Sequence, residues 1–345
     1  DIFTFVCSLK ACDAVKYVEK GQQLHAEIIK RGYLECDIVI GNALIDMYAS
    51  FDMLSTAQDV FENLPGQNTI SWTILIEAYY DHEHSQRAWN SLQQMQMEGI
   101  LPDIVTFLCV LKSCTSSCAI EKGYKLHAVL SILEEHNIVG SILIDFYANC
   151  GLLQEAHKVF DEVSTHNVVS WTTLMKAYLD NEQAEQTLIV FWKIRLDGIS
   201  PNKVTFICAL DACSNMISLD NGLKIHTEAV NHGCEDNVLV ATALIDMYGK
   251  CGSISEAHRV FATLPNKNVV SWNAVIAAFA EVGLGEEALK CFKKLRLEMG
   301  VPPDEVTYTC TLKACCRIGA IDSGRDIHAE VINVGFESDP FVASS

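Results

Sequence analysis

No run of 18 or more apolar residues occurs in this chain, so no membrane-spanning helix is expected. No glycine-rich phosphate loop and no nucleophile elbow is present. The fifteen cysteines include no Cys-x-x-Cys, and Cys114 and Cys118, four apart, have no histidine at metal-site spacing. Neither catalysis, a cofactor nor a metal site is therefore expected of these residues. Basic residues are few: lysine and arginine total 25 against 44 aspartates and glutamates, a net charge of −19. Charge alone argues against a nucleic-acid partner, because such proteins usually carry a basic footprint. No methionine, signal or transit segment stands ahead of Asp1, and the chain starts and stops within a repeating pattern, so it is expected to be part of a longer protein.

What is present is apolar content and repetition. The 345 residues are 50% hydrophobic, enough for a large core but long for one compact domain. Gly21-x-x-Leu24-His25 returns as Gly123-x-x-Leu126-His127, Gly222-x-x-Ile225-His226 and Gly324-x-x-Ile327-His328, at steps of 102, 99 and 102. Ala43-Leu44-Ile45-Asp46-Met47-Tyr48 returns at 142–147 and 243–248, and Ser71-Trp72 at Ser170-Trp171 and Ser271-Trp272. Three separate words sharing one period of about 100 residues mark a repeat array.

Each period divides into three units. The boundaries fall at 2–37, 38–68, 69–103, 104–136, 137–167, 168–202, 203–237, 238–268, 269–304 and 305–339, with lengths cycling through about 35, 31 and 35. Each unit reads as two helices. In 38–68, Leu44, Ile45, Met47 and Tyr48 form one apolar stripe, and Ala57, Val60, Phe61 and Leu64 a second. Asp52 to Ser55 is expected to turn between them, with Ser55 and Gln58 spaced as a capping box. Gly32, Gly99, Gly198, Gly233, Gly300 and Gly335 follow second helices, where a left-handed residue is needed, and Pro65, Pro102, Pro201, Pro265 and Pro302 stop them. The expected fold is all-α: an αα superhelix, or solenoid, of about ten stacked helix-turn-helix repeats of 31–36 residues.

Asn42 to Tyr48, Lys250-Cys251-Gly252, Glu256-Ala257-x-x-Val260-Phe261 and Asn268-Val269-Val270-Ser271-Trp272-Asn273 resemble the pentatricopeptide repeat family. The alternating lengths resemble its PLS subfamily, found mainly in plant organelles. Units 69–103, 168–202 and 269–304 resemble P repeats; 38–68, 137–167 and 238–268 resemble S repeats; the remaining four resemble L repeats. Tetratricopeptide repeats, with a uniform 34-residue period and a Trp-x-x-Leu-Gly-x-x-Tyr pattern, fit poorly. The resemblance implies one solenoid over 1–345, with 340–345 beginning a truncated repeat. It also implies single-stranded RNA as partner, a mitochondrial or chloroplast location, and a role in organellar RNA processing such as C-to-U editing, alongside other RNA-processing proteins. DNA and membranes are not expected partners.

In the resembled family the fifth and last residues of a repeat read the base, and the second packs on its face. The corresponding pairs here are Asn42 and Asn68, Thr73 and Asp103, Ser141 and Asn167, Thr172 and Asn202, Thr242 and Asn268, and Asn273 and Asp304. All twelve are small hydrogen-bonding residues, the types that helical-repeat proteins use against base edges. The same types also cap helices and make turns, which is the alternative reading. Apolar residues assigned to position two are Val39, Ile70, Val105, Val139, Val169, Val204, Leu239, Val270 and Val306, with core packing ahead of a helix as the alternative. The L-like units carry Val6, Leu108, Ile207 and Thr309 at position five; three of these cannot hydrogen-bond a base, so these units are expected to space rather than read. The family's code assigns Thr/Asp to G, Asn/Asp to U, Thr or Ser/Asn to A, and Asn/Asn to a pyrimidine, mostly C. With the protein running N to C along RNA 5′ to 3′, the expected target from unit 38–68 onward is 5′-YGNAANAU-3′.

The subfamily often ends in a cytidine-deaminase-like domain, whose zinc site needs His-x-Glu and Pro-Cys-x-x-Cys. His25-Ala26-Glu27, His226-Thr227-Glu228 and His328-Ala329-Glu330 match the first half only and recur in register, so they read as structural. Cys7/Cys12, Cys109/Cys114, Cys208/Cys213 and Cys310/Cys315 are one element seen four times and read as small packing residues. Two other function classes remain. A helical-repeat scaffold binding a protein or peptide suits the acidic charge. A targeting arm for a catalytic domain beyond Ser345 is the other.

Overall fold

The computed structural model describes residues 2–131, 136–163, 166–298, 303–336, 339 and 342; for 136–138 and 298 only the backbone is described. Gly300 and Pro302 lie outside the described residues, as does all of 340–345 except Val342. Among the described residues there are twenty α-helices and no strand.

The helices fall into two compact units, residues 1–165 and 166–345. The first holds α1 (Ile2–Ala14), α2 (Val18–Lys30), α3 (Ile38–Ser50), α4 (Leu54–Glu62), α5 (Thr69–Asp81), α6 (Ser85–Met97), α7 (Ile104–Ser116), α8 (Ile120–Leu130), α9 (His136–Asn149) and α10 (Leu153–Glu162). The second holds α11 (Val168–Asp180), α12 (Ala184–Leu196), α13 (Lys203–Asn215), α14 (Leu219–Asn231), α15 (Val238–Lys250), α16 (Ile254–Thr263), α17 (Val269–Glu281), α18 (Gly285–Glu298), α19 (Glu305–Ile318) and α20 (Ile321–Val334). Within each unit every odd-numbered helix packs on the next odd-numbered one, and the even-numbered helices back that layer. This is the two-layered stacking of an αα solenoid.

Position in the layers explains the sequence of each helix. The odd helices are covered by neighbours on both sides and behind, so α15 buries Val240, Ala241, Ala243, Leu244, Ile245, Met247 and Tyr248 within thirteen residues. The even helices have one free face, so α16 buries Ala257, Val260 and Phe261 and leaves Arg259 in solvent. Gly32, Gly99, Gly198, Gly233 and Gly335 all have positive φ, as a helix end of this kind requires.

The hairpin turns differ from expectation. The helix α4 starts at Leu54; its N-cap is Met53, with no side-chain cap, and Ser55 lies inside the first turn. The turn is closed by backbone instead. Asp52, at φ 61°, donates its N–H to the Ala49 carbonyl, and the Met53 N–H reaches the Tyr48 carbonyl at 2.9 Å. That six-to-one bond satisfies the end of α3 and starts α4 without a capping hydroxyl.

The recurring words meet in space. His25, His127 and His226 on α2, α8 and α14 hydrogen-bond through Nδ1 to the hydroxyls of Tyr48, Tyr147 and Tyr248 at 2.9, 2.8 and 2.7 Å. The three tyrosines are almost fully buried, so each hydroxyl needs that partner; an orphaned one costs about 1–3 kcal/mol. Burial holds all three imidazoles below their ordinary pKa, so they stay neutral at pH 7. The glycine of the same word gives the next odd helix its room. A Cβ on Gly123 would lie 2.0 Å from the Phe146 ring, whereas on Gly21 and Gly222 it would meet the sulfur of Met47 or Met247. The Ser-Trp word also has a packing partner, since Trp72 and Trp272 sit edge-on to Phe61 and Phe261 at 4.6 Å.

Gly123→Ala should therefore lower stability by about 1–3 kcal/mol through overpacking against a rigid ring. Gly222→Ala should cost less, because the Met247 side chain bends away. Urea denaturation of both variants checks the order, and equal losses would contradict it.

Candidate nucleic-acid interface

The last residue of each reading unit is the N-cap of the next odd helix. Asn68, Asp103, Asn167, Asn202, Asn268 and Asp304 each accept the backbone N–H of the third helical residue through a side-chain oxygen, at 2.8–3.0 Å. Five of the six complete a capping box, with Ser71, Ser170, Thr205, Ser271 or Thr307 accepting the N–H of the cap residue in return. The capping alternative is thus realised at all six positions. Each cap uses one side-chain oxygen. Among the described residues, the Nδ2 groups of Asn68, Asn167, Asn202 and Asn268 and the Oδ2 groups of Asp103 and Asp304 take no protein partner.

The fifth residues lie on the odd helices one turn in. In three units the fifth and last residues are joined. Asn273 Nδ2 donates to Asp304 Oδ1 at 2.9 Å, and the Thr307 hydroxyl lies within 2.7 Å of both. Thr73 Oγ1 lies 2.7 Å from Thr106 Oγ1, which donates to Asp103 Oδ1 at 2.8 Å. Thr172 reaches Asn202 in the same way through Thr205, at 3.2 and 3.1 Å. The bridging residues Thr106, Thr205 and Thr307 are fully buried and were not anticipated from sequence. The signal that finds them is an Asn or Asp three residues ahead of a threonine.

The other pairs are less connected. Thr242 Oγ1 donates to the Val238 carbonyl and makes no link to Asn268. Asn42 Oδ1 is buried without a hydrogen bond. Ser141 is half-buried on α9 in the first unit, whereas Asn167 belongs to the second, so that pair is assigned by register alone.

Three residues before each fifth position, on the same face, stands an exposed aliphatic side chain. Val39, Ile70, Val105, Val169, Val204, Leu239, Val270 and Val306 are between 49% and 61% exposed. They are surface residues, which corrects the core alternative. Val139 breaks the row. It is 4% exposed and corresponds to the buried Ile40 and Val240, the third residues of their units. The second position of unit 137–167 is Ile138, whose side chain lies outside the described residues.

One turn beyond the fifth residue comes a row of charge: Lys10, Asp46, Glu77, Lys112, Asp145, Lys176, Asp211, Asp246 and Lys313. Its acids crowd one another. Burial pushes the Asp211 carboxyl up to about 6, with Asp246 adding to the shift and Lys250 opposing it. Asp246 itself is held by Lys250 and Ser214, each at 2.9 Å. At Asp304 burial is outweighed by the hydrogen bonds from Thr307 and Asn273, so its carboxyl stays below the ordinary value and is ionised at pH 7.

These hairpins, stacked within each unit and with Asx N-caps on α3, α5, α7, α11, α13, α15, α17 and α19, define a helical-repeat protein. The PPR repeat family matches residues 67–116, 166–215 and 267–317, and the PPR repeat matches 141–168 and 240–269. Together the five stretches cover more than half of the chain. Arabidopsis thaliana has similar pentatricopeptide repeat-containing proteins. One is 35% identical over 324 residues, 93% of this chain and 44% of the relative. A mitochondrial one is 33% identical over 327 residues, 94% and 58% respectively. A chloroplastic one is 30% identical over 348 residues, 100% and 40%. The chain thus spans about half the length of these relatives. The solved structure of the pentatricopeptide repeat protein PPR10 in complex with an 18-nt psaJ RNA element matches at TM-score 0.68 and 16% identity, over 90% of this chain and 47% of that one. The maize PPR10 structure matches at TM-score 0.55 and 17% identity, over 99% and 55%. At these identities the likeness shows the fold. The chain belongs to the pentatricopeptide repeat family.

Because the folded pKa of Asp211 stands above its unfolded value, its contribution to stability is fullest below pH ~4 and is lost as pH rises through about 6. Asp211→Asn should raise Tm at pH 7.5 and flatten the gain seen on acidification to pH 5. Thermal melts at the two pH values check this; an unchanged pH dependence would contradict it.

Proposed function

We propose that the chain binds single-stranded RNA and reads it with the residue pairs at the fifth and last positions of its P- and S-like repeats. The observation that carries this reading is the joining of the pair: Asn273 and Asp304 are 31 residues apart and share a hydrogen bond. Capping alone would not require a polar partner at position five. The cap also fixes which chemistry faces outward. An asparagine whose Oδ1 holds the helix presents Nδ2, a donor; an aspartate presents Oδ2, an acceptor. On the Watson–Crick edge, A and C offer an acceptor ring nitrogen, whereas G and U offer a ring N–H. Asparagine at the last position therefore suits A or C, and aspartate suits G or U. The exposed aliphatic residue at position two gives the base an apolar surface to lie on.

Taken in chain order, the pairs specify 5′-YGNAANAU-3′, with the L-like units as spacers. The PLS assignment rests on the 35/31/35 lengths and on Val6, Leu108 and Ile207 at position five. The named mitochondrial and chloroplastic relatives support an organellar location; a part in RNA processing such as C-to-U editing rests on the resemblance to the PLS subfamily. Only scattered lysines stand in the ninth-position row, so few phosphates are neutralised and affinity should depend weakly on salt.

Gel-shift titrations of the full chain test the reading. The RNA 5′-YGNAANAU-3′ should bind more tightly than one with its A and G positions exchanged. Thr73→Asn should move the preference at the second base from G to U and leave the others alone. Equal binding of the two RNAs, or no change at that base, would overturn the assignment.

A further inference from the structure

Where α1 ends, a residue in the left-handed conformation reaches over the last turn of α3. Lys16, at φ 51°, does so by donating Nζ to the Ser50 carbonyl at 3.1 Å. In unit 104–136 that place belongs to Cys118, at φ 47°, whose Sγ lies 3.7 Å from the Asn149 carbonyl. Ser50 and Asn149 are equivalent, each the last residue of its helix. The residue after them is Phe51 in one case and Cys150 in the other. Cys150 follows Asn149 directly, so the Cys118 thiol, 3.7 Å from the Asn149 carbonyl, stands at the same helix end as Cys150. Cys118 is exposed and Cys150 half-buried, both as free thiols. The corresponding residues of the second unit are Ile217 and Cys251, where only one thiol is present.

We propose that Cys118 and Cys150 form an oxidant-sensitive dithiol that closes to a disulfide and ties repeats 104–136 and 137–167 together. The co-reactant is a hydroperoxide. The exposed Cys118, as thiolate, attacks the terminal peroxide oxygen; the S–O bond forms, the O–O bond breaks, and the departing alkoxide takes up a proton to leave as the alcohol. The product is a sulfenic acid on Cys118. Cys150, as thiolate, then attacks that sulfur; the S–S bond forms, the S–O bond breaks, and hydroxide leaves as water with the proton Cys150 gave up. In sum the two thiols lose two electrons and two protons, and the hydroperoxide becomes one alcohol and one water. A thiol reductant reverses the step.

Burial pushes the Cys150 thiol up to about 11, and the Cys118 thiolate adds to the shift. Conversion of Cys118 to the neutral sulfenic acid removes that repulsion, so the second step is favoured only after the first. Closure joins residues distant in sequence, which restricts the unfolded chain and stabilises the first unit. Cys114, one turn before Cys118, is buried and shielded from the oxidant.

The test is peptide mass spectrometry of the full chain, digested without reductant after treatment with hydrogen peroxide. A Cys118–Cys150 linked peptide, lighter by two hydrogens than the free pair and lost on adding dithiothreitol, is the expected result. Tm should rise with closure. In Cys118→Ser, an exposed position that leaves the fold intact, both the link and the rise should vanish. A Cys118 that goes on to sulfinic acid, or that pairs with Cys114, would overturn the proposal, as would a Tm rise that persists in the variant.

Discussion

An asparagine or aspartate closing one repeat holds the first turn of the next odd helix with a single side-chain oxygen. The first N–H groups of a helix have no partner within it, and this oxygen supplies one. Replacing such a cap by alanine typically costs about 1 kcal/mol. Six caps in register fix where six helices begin, and with them the places of the second, fifth and ninth residues. The capping and reading roles, which compete as explanations at the level of sequence, are compatible in the fold. The capping oxygen takes the backbone N–H of the third helical residue, and the other end of the same side chain is the group proposed to face a base. Under the proposed reading, a stable helix start and a chosen base edge make their demands on one residue.

A second set of contacts joins the layers. The histidine of the Gly-x-x-Leu-His word meets the tyrosine of the Ile-Asp-Met-Tyr word, and the glycine of the first accommodates the methionine or phenylalanine of the second. The two words recur together because they are two halves of one junction. In two of the three His-x-Glu copies, which match part of a zinc deaminase motif, the histidine is taken up by this contact: His25 and His226 each bond a tyrosine hydroxyl through Nδ1.

Much of the fold was legible in the sequence because it rests on periodicity. Apolar stripes, helix-ending glycines and a repeating vocabulary all report contacts that recur. What was not legible rests on register or on backbone. Val139 shares the residue type of the exposed row but stands one place further along, and one step on a helix turned it from solvent to core. Ser55 has the spacing of a capping box, yet the turn before it is closed by peptide groups that no side-chain pattern reports. The bridging threonines were hidden because they belong to the following repeat. Among the paired cysteines Cys7 is exposed and Cys310 half-buried, so the packing explanation holds for Cys12, Cys109, Cys114, Cys208, Cys213 and Cys315 rather than for all eight.

In the proposed reading the acidic charge bears on affinity and not on specificity, because base edges are read by hydrogen bonds and apolar contact rather than by net charge. The central claim is that one side chain caps a helix and reads a base at once. Asp304→Asn separates the two roles, since asparagine and aspartate cap about equally well. Thermal stability and base preference should be measured together on this variant. The account predicts an unchanged Tm and a shift at the last base from U toward C, as the outward group changes from acceptor to donor. An unchanged Tm with U still preferred would contradict it and leave these residues as caps alone.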